Sequence, residues 1–224
     1  MTSLYLIRHG ETTWNRDKRF QGHTDVALTE QGLWQAGRLR QKLQKVDFSA
    51  IYTSDLSRAM ATARESTLNT KLTVQTTSSL REIHFGDWEG KRFEDIMEQD
   101  PCRGRQWFRD PGKTAIPGGE SDDAISRRIR EFLSEMIEKH GGETVALFTH
   151  GGLIRYILME ALGLPRNLFW RLEIANTSVT VLNHGEHGYT LNRLNDHSHL
   201  ELSTETADPL CRTADTSQQH KVAQ

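Results

Sequence analysis

The stretch LYLIRHG, residues 4–10, decides how the fold is interpreted. Its apolar run, residues 4–7, predicts a short strand buried on both faces, as in a parallel sheet. A cation, Arg8, and an imidazole, His9, follow directly, and Gly10 comes next. A buried strand has no structural need for two such side chains at its end. We therefore treat Arg8 and His9 as candidates for a site at the edge of a sheet.

Two more predicted strands end in the same way. Residues 50–53 have strand character and residues 145–148 are an apolar run. They are followed by Ser54-Asp55-Leu56-Ser57-Arg58 and by Thr149-His150-Gly151-Gly152. The carboxyl ends of parallel strands lie on one edge of a sheet, where ligands bind in a crevice. We expect Arg8, His9, Arg58 and His150 to meet there.

Helical patterns alternate with these strands. Thr29 is placed to cap a helix with apolar Leu33, Leu39 and Leu43, and Ser54 with Asp55 is placed to cap the next one. Ser121 precedes an amphipathic helix over residues 125–137, and another helix is expected over residues 153–162. The alternation predicts an α/β fold, a three-layer sandwich in which helices flank a mostly parallel sheet.

Two glycines indicate an exception at one edge of that sheet. Residues 178–182 and 189–194 have strand character and are joined through Gly185 and Gly188, so they predict a hairpin. An antiparallel edge strand is therefore expected beside the parallel ones.

Length and composition indicate a single domain. The chain has 224 residues, of which 36% are hydrophobic, enough for one sizeable core. We assign residues 1–202 to this domain and expect the polar segment 203–224 to be a disordered tail. The two cysteines, Cys102 and Cys211, have no CxxC spacing and suggest neither a disulfide framework nor a zinc site.

Charge and hydropathy exclude several classes of partner. The formal net charge of −2 gives no general case for nucleic acid or membrane binding. The amino terminus lacks the pattern of a signal peptide, and no apolar run has the length of a membrane span. We expect a cytoplasmic protein, either a monomer or a homodimer.

Two histidines and two arginines at one edge of the sheet, beside helix amino termini, suit a compact dianion such as a phosphoryl group. Taken singly, a histidine at a strand end is more often a hydrogen-bonded structural residue, and Arg58 could be an ordinary surface cation. The shared edge is what supports a site. A glycine directly after each histidine also lets a ligand come close to the backbone.

Several ordered motifs resemble the histidine phosphatase superfamily, which includes the cofactor-dependent phosphoglycerate mutases. They extend over about residues 4–200 and comprise LIRHGET (6–12), Asn15, FQG (20–22), LTEQG (28–32), TSDLSRA (53–59), REI (81–83) and THGG (149–152). The resemblance implies that the chain is a phosphoryl-transfer enzyme acting on a small phosphorylated metabolite.

The resemblance also implies catalytic roles. His9 would be the nucleophile that becomes phosphohistidine, with Arg8 and Arg58 disfavouring its protonation and neutralising the transferred group. His150 would donate to the same oxygens. Glu82 occupies the position of the general acid and base, although a salt bridge to Arg81 is the alternative for an arbitrary glutamate.

Substrate contacts are implied for a wider set. His23 and His84 are weaker neighbours, and Trp88 and Trp107 either line the entrance or belong to the packing. The residues expected to bind substrate are Arg8, Asn15, Gln21, Gly22, Arg58, Glu82, His150 and Gly151.

A metal site is the main alternative for the two histidines and the glutamate, which could form a facial triad. Two arginines at the same mouth would repel a divalent cation, and no HxH or HxxxH spacing joins the histidines. We expect no metal and no other cofactor.

Hydrolase and mutase share the chemistry up to the phosphohistidine. Mutases of the family carry a stretch resembling ERxYGxLxGxNK and a long basic insertion, whereas this chain has REIHFGDWEGK (81–91) and a short segment to Gly119. That favours a phosphatase. The motifs look most like those of broad-specificity phosphatases and α-ribazole phosphatase of cobalamin synthesis, so α-ribazole 5'-phosphate is a candidate substrate. Phosphoserine and glucosyl-phosphoglycerate phosphatases share much of the pattern, so other substrates stay open. A non-catalytic phosphate-binding regulator is a further alternative, although the chain keeps His9, Glu82 and His150.

Overall fold

A six-stranded sheet runs through the computed structural model, which describes residues 1–201. The strands are β1 (Thr2–Arg8), β2 (Ala50–Ser54), β3 (Val74–Thr77), β4 (Thr144–Thr149), β5 (Val179–Gly185) and β6 (Gly188–Asp196). Their order across the sheet is β3-β2-β4-β1-β5-β6. The expected tail over residues 203–224, and Cys211 within it, lie outside the described residues.

Strands β1 to β4 pair in parallel, and β5 and β6 add two antiparallel pairings at one edge. β1 pairs with β4, and β2 pairs with β4 and β3, all in parallel. β5 runs antiparallel to β1, and β6 runs antiparallel to β5, which confirms the predicted hairpin and makes that edge two strands wide. Arg8 lies opposite Thr149 in the register, so His9 and His150 leave adjacent strands side by side.

Helices cover both faces of the sheet. They are α1 (Thr13–Arg16), α2 (Glu30–Leu43), α3 (Ser57–Ser66), α4 (Phe93–Gln99), α5 (Pro101–Arg109), α6 (Asp122–Lys139) and α7 (Gly151–Leu162), with short 3₁₀ turns at Ser78–Leu80, Gly86–Trp88, Pro111–Lys113, Arg166–Arg171 and Ser198–Leu200. No helix within residues 1–201 is both long and apolar enough to cross a membrane.

Two hydrophobic clusters separate the layers, as expected for a three-layer sandwich. Leu4 and Leu6 of β1 pack with residues of α6 and α7, such as Phe132 and Leu153. Ile7 packs on the opposite face with Leu39 and Leu43 of α2, Ala63 of α3 and other residues. The buried strand run therefore fixes β1 from both sides and holds its carboxyl end in place.

Helix α2 differs in one respect from its predicted amphipathic face. Leu33 is 47% exposed, while Gly32, Ala36, Leu39 and Leu43 are buried. A Cβ on Gly32 would lie 2.2 Å from the carbonyl oxygen of Glu11. Because the helix touches the loop after β1 at this glycine, its buried stripe runs through Gly32 and Ala36, and Leu33 turns outward.

The start of α3 also differs from the prediction, since Ser54 and Asp55 do not cap it. Leu56 is the N-cap residue and offers no side-chain hydrogen bond. Asp25, from a distant loop, accepts from the Ser57 amide at 2.9 Å instead. Asp55 pairs with Arg81, so a long-range contact has replaced the local cap.

Residues 86–116, for which the sequence pattern predicts no elements, contain α4 and α5. Trp88 and Trp107 of this region and the preceding Phe85 form a cluster of edge-to-face aromatic rings with Phe20 from the loop after α1. Trp88 and Trp107 are buried in the core, which supports the packing interpretation of these two residues over the entrance.

Candidate active site

A cavity of about 270 Å³ opens at the carboxyl edge of the parallel strands. Its lining contains most of the residues that the sequence places at a site. They are Arg8, His9, Asn15, Gln21, Arg58, Glu82 and Gly151, together with Trp14, Lys18, Arg19, Phe20, Phe85, Gly152, Arg155, Phe169 and Trp170.

The His9 ring is held in one tautomer. Its Nδ1 lies 2.7 Å from the carbonyl oxygen of Gly10, which can only accept, so Nδ1 carries the proton and Nε2 is bare. Burial, followed by the charges of Arg58 and Arg8, holds the pKa of His9 well below its ordinary value. The ring is therefore neutral near pH 7, as a nucleophile requires.

The backbone of His9 is fixed from a neighbouring loop that the sequence analysis did not single out. Its carbonyl oxygen accepts from Asn176 Nδ2 at 3.0 Å and from the Thr177 amide at 3.3 Å. Thr177 has φ +56°, which is unusual for a β-branched residue and costs conformational energy. The loop before β5 thus takes a strained shape where it contacts His9.

His150 complements His9 across the two strands, with ring centroids 5.1 Å apart. Arg58 Nε donates to His150 Nδ1 at 3.2 Å, so the proton of the neutral ring sits on Nε2. Nε2 is buried and has no hydrogen-bond partner among the described residues. Burial and then the charge of Arg58 lower the pKa of His150 well below its ordinary value. His150 therefore keeps one N–H for an incoming acceptor.

Arg58 is fully buried and held by three acceptors. Besides His150, its Nη2 donates to the Gly22 carbonyl at 2.7 Å and its Nη1 to the Thr24 carbonyl at 3.0 Å. Burial lowers its pKa, and the charge of Glu82 opposes that shift. Two of its five N–H groups are left for a ligand.

Arg8 is the second cation of the site, and it is half-buried. Its Nη1 donates to the Ile174 carbonyl at 2.6 Å, and its Nε is buried without a partner among residues 1–201. Burial, with help from nearby Arg155, lowers the pKa of Arg8 to about 10, so it stays charged at neutral pH. A Cβ on Gly151 would lie 3.2 Å from that Nε, a tight contact, so the glycine lets the Arg8 side chain lie close to the start of α7.

Glu82 lies at the amino terminus of α7 and not in a salt bridge with Arg81. Its Oε1 accepts from the amides of Ile83 at 3.0 Å and Leu153 at 2.8 Å, and its Oε2 accepts from the Gly152 amide at 3.0 Å. Arg81 pairs with Asp55 instead. The salt bridge to Arg81, which sequence reasoning left open for Glu82, is therefore absent, and the Glu82 carboxyl group lies in the cavity wall.

The residues expected to bind substrate have different surroundings. Asn15 and Gln21 line the cavity, and Asn15 uses Oδ1 to cap α1, which leaves its Nδ2 available. Gly22 is not part of the lining, and its carbonyl holds Arg58. His23 Nε2 donates to the Glu82 carbonyl at 2.9 Å, and the His84 ring lies edge-on to the His23 ring.

Arg155 is a cavity residue that sequence reasoning missed. It lies one helical turn after Gly151 on α7, and that i, i+4 spacing is the signal that could have found it. Its guanidinium lies over the rings of Phe169, at 5.1 Å, and Trp170, at 5.3 Å. Nε donates to the Leu172 carbonyl at 2.7 Å. With Arg8, Arg19 and Arg58, the cavity lining therefore contains four partly or fully buried arginines.

The described residues offer no cluster typical of a metal site. Within residues 1–201, no three His, Cys, Asp or Glu side chains are grouped so that they could hold a metal ion. The donors that have no protein partner, Arg8 Nε and His150 Nε2, suit an anion. That the activity needs no metal stays a prediction.

Comparison with known proteins agrees with this geometry. Residues 4–197 match the family model of the histidine phosphatase superfamily (branch 1). Phosphoserine phosphatase 1 of Hydrogenobacter thermophilus is 34% identical over 200 residues, which cover 89% of this chain and 95% of that protein. Phosphoglycerate mutase-like protein 4 of Arabidopsis thaliana is 37% identical over 203 residues, 88% of this chain and 86% of that protein. The structure of the alpha-ribazole phosphatase from Shigella flexneri has a TM-score of 0.78 at 30% identity and covers 87% of this chain and 96% of that one.

Proposed function

The chain belongs to the histidine phosphatase superfamily, and from that premise we propose that it hydrolyses a small phosphomonoester through a phosphohistidine on His9. The observation that carries the proposal is the bare Nε2 of His9 in a cavity that Arg8 also lines. Arg8 Nε is a donor without a partner among residues 1–201, and so is Nε2 of His150, whose ring lies 5.1 Å from the His9 ring just behind the lining. In these terms it is a phosphoric monoester hydrolase of the histidine acid phosphatase type.

In the first step, His9 Nε2 attacks phosphorus and the bond from phosphorus to the ester oxygen breaks. Glu82 gives its proton to that oxygen, so the leaving group departs as an alcohol. Arg8, Arg58 and the Nε2–H of His150 stabilise the charge on the three equatorial oxygens. The attack leaves a phosphoryl group on His9 and a carboxylate on Glu82.

In the second step, water attacks the phosphohistidine. Glu82, now a carboxylate, takes a proton from the water, and the bond from phosphorus to Nε2 breaks. Inorganic phosphate leaves, His9 returns to its neutral form, and Glu82 is protonated again. The hydrogen bonds to Glu82 from the amides of Gly152 and Leu153 keep the carboxyl group in place through both steps.

The identity of the leaving group is open between two classes of ester. Lys18 and Arg19 line the cavity, and with Arg155 they add positive charge beyond Arg8 and Arg58, which suits a leaving group that carries a carboxylate. Trp14 and Trp170 offer aromatic surface, which suits α-ribazole 5'-phosphate. We propose a free metabolite of one of these classes as substrate for a cytoplasmic monomer or homodimer.

A phosphoglycerate mutase is the second candidate, because some relatives bear that name. It would use the same phosphohistidine and differ only in the acceptor, a phosphoglycerate in place of water. A non-catalytic phosphate-binding regulator is the third, and the arrangement of His9, Glu82 and His150 argues against it.

A panel of phosphomonoesters separates these candidates. We would measure phosphate release from phosphoserine, α-ribazole 5'-phosphate and p-nitrophenyl phosphate by wild type and by His9→Ala, with and without a chelator. The proposal predicts release by wild type only, unaffected by the chelator. Activity that survives the loss of His9, or disappears with the chelator, would overturn the mechanism. Interconversion of 3- and 2-phosphoglycerate without phosphate release would identify a mutase.

A further inference from the structure

Glu89 is the most extensively hydrogen-bonded carboxylate near the site, although it is not part of the cavity lining. Its side chain is 13% exposed. Oε1 accepts from the amides of His23 at 2.9 Å and Phe85 at 3.1 Å, and Oε2 accepts from the amide of Thr24 at 2.9 Å and its hydroxyl at 2.6 Å. Burial acts to raise the pKa of Glu89, but these hydrogen bonds outweigh it and the pKa is lowered. Glu89 is therefore a carboxylate that ties residues 23–24 to residue 85.

The segment that Glu89 holds is the one that holds Arg58. Gly22 and Thr24 each offer a carbonyl to the Arg58 guanidinium, at 2.7 Å and 3.0 Å. Asp25, next in the chain, accepts from the Ser57 amide at the start of α3. Residues 22–25 thus contact both the head of Arg58 and the helix that carries it, and Glu89 supports them from the other side.

Gly22 shows how closely the segment lies against Glu89. It has φ +55°, and a Cβ there would lie 1.9 Å from Glu89 Oε1. No side chain fits in that space without moving the carboxylate. The backbone at residue 22 is therefore shaped around Glu89 at the point where its carbonyl turns toward Arg58.

We propose that Glu89 is a positioning residue for phosphoryl transfer. It fixes the carbonyls of Gly22 and Thr24, and these aim the Arg58 guanidinium at the transferred group. The inference rests on the proposed function, since it assigns a task to Arg58 in that reaction. Glu89 is not a second general acid, because it is not part of the cavity lining, whereas Glu82 is.

The test uses Glu89→Gln with p-nitrophenyl phosphate as substrate and orthovanadate as a mimic of the transferring phosphoryl group. A glutamine can satisfy only one of the two pairs of donors, so residues 22–24 lose part of their support. We expect kcat to fall about 10- to 100-fold, as for other losses of positioning or of one charge-stabilising donor. Vanadate inhibition should weaken by about the same factor, while KM changes little.

Glu160→Gln is the matched control. Glu160 lies at the far end of α7, and its side chain is 11% exposed. It accepts from Arg130 at 2.9 Å and from Arg166. This variant should lose thermal stability but keep kcat and vanadate inhibition within about twofold of wild type. If Glu89→Gln behaves like this control, with lower stability and unchanged kcat, the positioning role is wrong.

Two further variants keep the test decisive. Thr24→Val removes only the hydroxyl that donates to Glu89 at 2.6 Å and should shift kcat and vanadate inhibition in the same direction by about threefold or more. In an Arg58→Lys background, Glu89→Gln should add little, because both changes act on one guanidinium. Full additivity would overturn the inference. Wild-type hydrolysis of p-nitrophenyl phosphate reports separately on the proposed function, so its failure is distinguishable.

Discussion

Replacing Glu82 by glutamine tests the acid and base role most sharply. The amide oxygen of glutamine can keep the hydrogen bonds from the amides of Ile83 and Leu153, but its NH₂ group then faces the Gly152 amide, a donor against a donor. One buried N–H loses its acceptor, which costs about 1–3 kcal/mol of folding stability. The variant should therefore fold with a reduced but measurable stability.

The loss of catalysis, expressed as barrier height, should exceed the loss of folding stability, and it should depend on the leaving group of the ester. A positioned general acid contributes about 10²- to 10⁴-fold, which is about 3–5 kcal/mol of barrier. An alkyl phosphate needs that proton, because its alkoxide is a poor leaving group. p-Nitrophenyl phosphate does not need it, since nitrophenolate is stable at neutral pH without a proton. The loss in the first chemical step should appear with the alkyl ester and be less than about tenfold with the aryl ester.

Rapid-mixing kinetics on Glu82→Gln measures both steps. With p-nitrophenyl phosphate we expect a burst of nitrophenolate, one per site, and then slow turnover, because the phosphohistidine forms but its hydrolysis lacks a base. With phosphoserine we expect no burst. An equal loss of the first step with both esters, or no loss with either, would refute the assignment of Glu82 as the proton donor.

Three further predictions concern the cations and the second histidine. The pKa of His150 is lowered in the folded state, so below about pH 6.5 the unfolded chain binds a proton that the folded chain does not, and the free energy of unfolding falls as the pH falls. In urea unfolding, His150→Gln should reduce this pH dependence by up to about 1.4 kcal/mol per pH unit. A pH dependence equal to that of wild type would contradict this. Arg58→Lys replaces a guanidinium that donates to three acceptors with a single ammonium group. It should lower kcat by about 10²-fold or more while the circular dichroism spectrum is retained. A kcat near that of wild type would contradict the role of Arg58 in the site. Arg155→Met keeps the packing on Phe169 and Trp170, and it should raise KM about tenfold or more for phosphoserine but little for p-nitrophenyl phosphate if Arg155 binds a leaving-group carboxylate; equal effects would place Arg155 at the phosphoryl group.

The sequence pattern predicted the site residues that lie at the ends of strands. Parallel pairing places the ends of β1 and β4 side by side, so Arg8, His9 and His150 converge for a reason that apolar runs and glycines reveal. Arg58 follows because β2 is the next strand. Glu82 came from the family resemblance, because no local pattern indicates that its carboxyl group packs against the first amides of α7.

Other features depend on contacts between distant segments. Asn176 and Thr177 reach His9 from the loop before β5, and residues 22–25 hold Arg58 through backbone carbonyls, which carry no sequence signal. The exposed position of Leu33 follows from the close approach of Gly32 to the loop after β1. Helices α4 and α5 are short, and they are held by an aromatic cluster that assembles from several elements.

The central claim is that a phosphoryl group passes through His9, and the most direct measurement is to isolate it. Glu82→Gln would be mixed with p-nitrophenyl phosphate, quenched in base to preserve phosphohistidine, digested and analysed by mass spectrometry. The account predicts one added phosphoryl group on the peptide that contains His9, labile to acid and absent from His9→Ala. A phosphoryl group on another residue, or hydrolysis of the ester without any phosphorylated protein, would contradict it.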